Sequence, residues 1–286
     1  MNNFSDTNLN SYIFSEEKYN IINYNLYFIL LIFFILLLIL FYNDKQNIGV
    51  QKYLYKIYNN NIELKKKYIN IINKDFNKIK LDNDVIILEN LLTHEYHEYL
   101  KNQFQNKIFE SKNAIFRKGS GINFLDLHKS EEFKGFLELY YSNELLDILT
   151  NILNKNIQRT PLSDNNSCSL LIYNNVGDHI DWHKDYSNYY GDRYVVLLSI
   201  INNNQNKICC SENEFMYMAK NDLNKIQLKP NNLMIFKGSE ILHKSTSIGL
   251  GEQRILLSMT FCDICQEKKN VSYTIYENIK NLILYK

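Results

Sequence analysis

The chain has 286 residues, a formal net charge of +1 and 45% hydrophobic residues, enough for one sizeable folded domain plus appendages. Its charges are interspersed and the one dense basic run, Lys65-Lys66-Lys67, is short, which excludes a broad cationic face for nucleic acid. Five cysteines, Cys168, Cys209, Cys210, Cys262 and Cys265, argue against a disulfide framework; ordinary buried thiols are expected, and a structural zinc at Cys262-x-x-Cys265 lacks a second such pair.

Residues 1–25 form a polar tail. Leu26–Tyr42 then runs without a charge or an amide, about 26 Å of helix at 1.5 Å per residue. It is apolar on every face and edged by Tyr24 and Tyr42, so a single transmembrane helix is expected rather than a core helix or a cleaved signal. Upstream the only Lys is Lys18, whereas Lys45, Lys52, Lys56 and Lys65–Lys67 follow it. That bias puts the large C-terminal part in the cytosol. The triplets Asn165-Asn166-Ser167 and Asn270-Val271-Ser272 favour the alternative, an ER-lumenal domain, but such triplets are common in an Asn-rich chain. Asn runs such as Asn202-Asn203-Asn204 are treated as compositional bias.

Residues 43–81 are charged and periodic and are expected to form a helical stalk. The remaining domain, 82–286, divides into a helical part (82–165), a β core (166–265) and a C-terminal extension (266–286). Val85–Leu88 is a short strand, and Thr93 caps a helix to about Gln105 whose His94 and His97 are expected at the surface. Further helices follow Ser130 and Ser142; the second carries the stripe Leu145, Leu149 and Ile152. Arg117-Lys118-Gly119-Ser120-Gly121 lacks the setting of a phosphate loop and is expected to be a plain loop.

From Ser167 onward the pattern is of short strands: Cys168–Tyr173, Asp178–Asp185, Arg193–Ile201, Lys207–Cys210, Glu214–Ala219, Lys225–Lys229, Leu233–Phe236 and Arg254–Cys262. The fold class is therefore mainly β with an α-helical shoulder (α+β), a double-stranded β-helix or jelly roll preceded by the transmembrane helix.

The chemistry centres on His183-Lys184-Asp185. Residues two apart on a strand share a face, so this imidazole and carboxylate can close on one ion. His243 and Arg254 lie on late strands, which in a jelly roll meet the early ones across the barrel mouth. His183, Asp185 and His243 then make a 2-His-1-carboxylate facial set of the kind used by non-haem Fe(II) oxygenases, and Arg254 offers a permanently charged fork for the far carboxylate of a dicarboxylate cosubstrate.

The residues Tyr173, Gly177-Asp178, Trp182-His183-Lys184-Asp185, Gly191-Asp192-Arg193-Tyr194, Val195–Ser199, Pro230–Phe236, His243 and Gly251–Arg254 together resemble the Fe(II)/2-oxoglutarate dioxygenase domain of the prolyl 4-hydroxylase type. The resemblance covers about residues 82–265 and departs from the family over Gln205–Ser211. It implies His183, Asp185 and His243 as iron ligands, Arg254 on the distal carboxylate of 2-oxoglutarate, and Tyr173 as a hydrogen-bond donor to that cosubstrate. It further implies Fe(II), 2-oxoglutarate and O2, with ascorbate as an optional addition, succinate and CO2 as by-products, and hydroxylation of a C–H bond. A peptidyl, prolyl-type substrate is the expected class, ahead of a small molecule; the membrane is a partner through Leu26–Tyr42 and nucleic acid is not.

The rivals are weaker. His179 and His183 are spaced as in a zinc hydrolase helix, but Ile180 stands where a general-base Glu is needed. Asp181 could replace Asp185 as the carboxylate ligand. A halogenase would lack Asp185, and the nucleic-acid demethylase branch carries a second Arg where Thr260 stands. The alternative from a different class is a catalytically inert, membrane-anchored jelly-roll binding module.

Overall fold

The computed structural model describes residues 25–38, 70–81, 85–114, 116–162, 164–220 and 222–268, and the chain divides into two compact units, Met1–Tyr53 and Leu54–Lys286. In the first, a helix (α1) covers residues 25–38 with its side chains exposed. The rest of the predicted span lies outside the described residues, as do the tail 1–24, most of the stalk and the end of the C-terminal extension. Among the described residues no helix is long and apolar enough to cross a membrane.

The second unit runs β1 (Asn77–Lys80), β2 (Val85–Glu89), α2 (His94–Asn102), β3 (Lys112–Ala114), β4 (Arg117–Ile122), α3 (Phe124–Lys129), α4 (Lys134–Tyr140), α5 (Asn143–Leu153) and β5 (Gln158–Arg159). Strands then dominate: β6 (Cys168–Tyr173), β7 (His179–His183), β8 (Arg193–Asn203), β9 (Phe215–Ala219), β10 (Asp222–Ile226), β11 (Leu233–Phe236), β12 (His243–Ser245) and β13 (Gln253–Cys262). The hydrogen-bonded order is β1-β2-β11-β8-β13-β6-β4-β7-β12-β9-β10. The pairings are antiparallel, and β4 joins one face to the other by bonding β6 with one part of its length and β7 with the other. This mostly antiparallel, curled sheet with few helices is consistent with a jelly roll.

Sequence explains the layering. β8, Arg193–Asn203, is a nearly unbroken apolar run that lies between β11 and β13 in the sheet and is buried almost throughout; a strand buried on both faces loses the polar alternation of a half-exposed one. Val195 and Leu197 point with Tyr173, Phe215, Met234 and Phe236 into one buried cluster. Between β6 and β7 the chain reverses at Gly177, whose φ of +82° suits glycine. The buried Asp178 fixes that turn, its Oδ2 accepting the N–H groups of Asn174 and Asn175 and the Ser111 hydroxyl.

Five expectations are corrected. Arg117–Ile122 is a strand, because the edges of β6 and β7 both need partners and Gly121 permits the approach: a Cβ there would collide with the Leu170 carbonyl. The described end of the stalk is not helical; Ile71 is buried and Asn77–Lys80 pairs with β2. His97 is buried, its Nε2 3.0 Å from the Ile200 carbonyl, and burial pushes its pKa down. Lys207–Cys210 is not a strand, and cysteines expected as thiols are joined, Cys209 to Cys210 and Cys262 to Cys265, while Cys168 is free and buried.

Candidate metal centre

His183 closes β7 and His243 opens β12, and the two residues are direct cross-strand partners. Such pairs bring side chains on one face together; here the rings are 4.2 Å apart between centroids. Asp185 follows two residues after His183, its N–H donated to the Gly238 carbonyl at 2.9 Å. His183 Nε2 is 3.6 Å from Asp185 Oδ1, and one ligand atom from each of His183, Asp185 and His243 lies within 4.8 Å of the others.

Both imidazoles are oriented alike. His183 Nδ1 lies 2.7 Å from the Asp181 carbonyl and His243 Nδ1 lies 2.9 Å from that of Ile241. A carbonyl oxygen only accepts, so each Nδ1 carries the proton and each Nε2 keeps its lone pair for the shared centre. His243 is also held by its neighbours: Phe215 stacks on it at 5.5 Å and Phe236 meets it edge-on at 5.0 Å. Burial first, and then the neighbouring His183, lowers its pKa, with Asp185 opposing. Asp181 stands outside the cluster, exposed and 3.6 Å from His179 Nε2.

Beside the cluster, Arg193 is buried with Nη1 3.9 Å from Asp185 Oδ2 and Nε 4.0 Å from Asp164 Oδ2. Tyr189 donates its hydroxyl to the same Asp164 oxygen at 2.8 Å. Arg193 thus lies between the carboxylates of Asp185 and Asp164, within 4.0 Å of each.

Arg254, near the start of β13, is opposite Tyr173 on β6 and is 1% exposed. Its Nη1 donates to Asn213 Oδ1 and to Ser245 Oγ, both at 2.6 Å. Among the described residues its Nε has no hydrogen-bond partner. Burial brings its pKa down to about 10, with Tyr173 acting the other way, so it stays cationic near neutrality. The guanidinium lies 5.8 Å from the Tyr173 ring centroid. Ser245 stands two residues from His243 on β12, linking the cation to the metal-type cluster through one short strand.

The structure therefore brings His183, Asp185 and His243 together and sets Tyr173 beside Arg254. Sequence reasoning missed Asn213, Ser245 and Gly238. A Cβ on Gly238 would occupy the place of the Asp185 carboxylate, and the only prior signal was a glycine between β11 and β12.

No protein family matches the chain by sequence, and no curated protein is similar to it. Solved structures similar in fold include a Pseudomonas putida prolyl-4-hydroxylase (13% identity, 65% of this chain and 94% of that one, TM-score 0.45). A Trichoplax adhaerens prolyl hydroxylase in complex with a hypoxia-inducible-factor oxygen degradation domain peptide shares 17% identity over 64% of this chain and 84% of that one, with a TM-score of 0.45. A Burkholderia pseudomallei oxidoreductase of the 2OG-Fe(II) oxygenase family shares 11% over 65% and 89%, with a TM-score of 0.48.

Proposed function

We propose that this chain is a membrane-anchored, non-haem Fe(II)/2-oxoglutarate-dependent dioxygenase that hydroxylates a C–H bond, with a peptidyl, prolyl-type substrate. The observation that carries the reading is a buried guanidinium, Arg254, that has no carboxylate partner among the described residues and stands one short strand from a two-imidazole, one-carboxylate cluster.

The donor set fits iron(II): His183 and His243 would hold it through Nε2 and Asp185 through its carboxylate, leaving the opposite face open. Bound there with 2-oxoglutarate, iron(II) supplies the activation of O2 that makes substrate hydroxylation accessible. The chain's own residues do the rest. Carbonyls of Asp181 and Ile241 fix both imidazole tautomers. Arg254 takes the distal carboxylate of 2-oxoglutarate, because a guanidinium at this depth otherwise lacks a counter-charge and its Nε lacks an acceptor. Tyr173, beside that guanidinium, would donate its hydroxyl to the cosubstrate, and Val195, Leu197 and Met234 belong to the same buried apolar cluster as Tyr173.

An inert jelly-roll module is disfavoured, since burying an unpaired charge costs several kcal/mol and such a module has no anion to offset it. The prolyl-type substrate rests on the motif resemblance, and the exposed Tyr186 beside Asp185 offers a surface for a peptide. The anchor over Leu26–Tyr42, with the domain in the cytosol, rests on the apolar sequence and the lysine asymmetry.

The test is turnover by the full-length protein in detergent with Fe(II), O2 and 2-oxoglutarate. Succinate should form, and should cease in a His183→Ala/His243→Ala double variant. No succinate from the wild type, or undiminished succinate from the double variant, would overturn the reading. Mass spectrometry of a peptide panel then identifies the class that gains one oxygen. Deleting residues 26–42 should move the protein from the membrane pellet to the supernatant, and continued sedimentation with membranes would remove the anchor from the proposal.

A further inference from the structure

Asn213 lies just ahead of β9, outside the motifs recognised in the sequence, and is 1% exposed. Its amide is committed in one orientation. Oδ1 accepts from Arg254 Nη1 at 2.6 Å and from Ser245 Oγ at 2.9 Å, while Nδ2 donates to the Thr246 carbonyl. An arginine can only donate and a carbonyl can only accept, so the amide cannot be turned over. Ser245 Oγ in turn accepts a bond from the same Arg254 Nη1. One nitrogen of the guanidinium is thus gripped by two neutral acceptors, and no carboxylate pairs with it among the described residues.

That choice of residue is informative. A buried arginine ordinarily carries a carboxylate, and the position touching this one holds the amide that is a carboxylate's neutral isostere. An aspartate at 213 would have nearly the same shape and would neutralise the cation within the protein. An alanine would leave the cation unneutralised and free to turn. Asparagine is the option that aims the fork and leaves its charge unspent.

We propose that Asn213 is a positioning residue for the cosubstrate: it orients Arg254 while withholding a counter-charge, so that the distal carboxylate of the incoming dicarboxylate supplies it. The identity of that dicarboxylate rests on the dioxygenase reading, whereas the unneutralised cation does not.

The experiment compares full-length wild type, Asn213→Ala and Asn213→Asp. Both variants lose the bond to the Thr246 carbonyl, so the excess effect of Asp over Ala isolates charge from packing. With Mn(II) as a redox-inert metal, calorimetry should show 2-oxoglutarate bound at least about tenfold more weakly by Asn213→Asp than by Asn213→Ala. Mn(II) affinity should be equal in all three. Without metal, millimolar glutarate, which has the two carboxylates but no oxo group, should raise the melting temperature of the wild type and not that of Asn213→Asp. Equal weakening by the two variants, or a glutarate shift retained in Asn213→Asp, overturns the proposal. A wild type that ignores 2-oxoglutarate but shows the glutarate shift, lost in Asn213→Asp, removes the dioxygenase reading and leaves the role of Asn213 standing.

Discussion

Gly238 and Asp185 occupy each other's space: the Gly238 carbonyl accepts the Asp185 N–H at 2.9 Å, and the absent side chain at 238 is the room that the Asp185 carboxylate fills. The glycine between β11 and β12 therefore sets the direction of a metal-type ligand that lies just beyond β7.

Gly238→Ala should swing the Asp185 carboxylate away from the two imidazoles while the sheet survives. Residues that orient a ligand without touching the metal typically control affinity by about 10–100-fold, so Mn(II) binding followed by electron paramagnetic resonance should weaken by at least about tenfold. Unchanged affinity, with an unchanged circular dichroism spectrum, would show that the contact is incidental.

Arg254→Met should separate stability from binding in opposite directions. Removing a buried cation that has no counter-charge relieves a desolvation cost, and exchanging buried ionic groups for apolar ones is neutral or stabilising by about 1–4 kcal/mol. Ligand-free Arg254→Met should therefore resist urea at least as well as the wild type, yet fail to bind 2-oxoglutarate. A variant clearly less stable than the wild type would mean that the bonds to Asn213 and Ser245 dominate.

Acid should erase one part of the stability. Asp192 is partly buried, which disfavours its charge, but ion pairs to Lys155 at 2.6 Å and Lys237 at 2.9 Å prevail and hold its carboxyl at about 2. Its folded pKa is below the ordinary unfolded value of about 3.9, so its stabilisation is complete above about pH 4 and is lost as pH falls toward about 2. Asp192→Asn should be less stable than the wild type at neutral pH, and the two should converge on acidification. A constant difference across that range would contradict the ion-pair account.

The parts of the site that could be read in the sequence were those whose chemistry is local. His183-x-Asp185 stands out as a ligand pair two residues apart, although β7 ends at His183 and the bond from the Asp185 N–H to the Gly238 carbonyl, not strand pairing, holds the carboxylate in place; Arg254 stands out as a cation near the head of an apolar strand. What escaped notice depends on contacts between distant segments. Asn213 is one asparagine in a chain full of them until Arg254 is seen against it. Arg117–Ile122 has two glycines and no apolar alternation, so its strand character comes from the two edges it bridges rather than from its own propensity. His97 looked like a surface residue because its partner, the Ile200 carbonyl, lies far along the chain. The cysteine pairs are the opposite case: Cys209 with Cys210 and Cys262 with Cys265 are neighbours in sequence, and it is their odd total number that argues against pairing.

The place of β13 has a consequence for biogenesis. The last of the described strands inserts between β6 and β8, so until residue 262 has left the ribosome the edges of β6 and β8 that it will pair have no neighbour. Such edges are templates for intermolecular pairing, and the separation in sequence that β13 must span makes its docking slow. The strand that brings Arg254 is thus also the keystone of the sheet. A nascent chain halted before it lacks Arg254 and is at its most prone to aggregate, which ties the arrival of that guanidinium to the closure of the sheet.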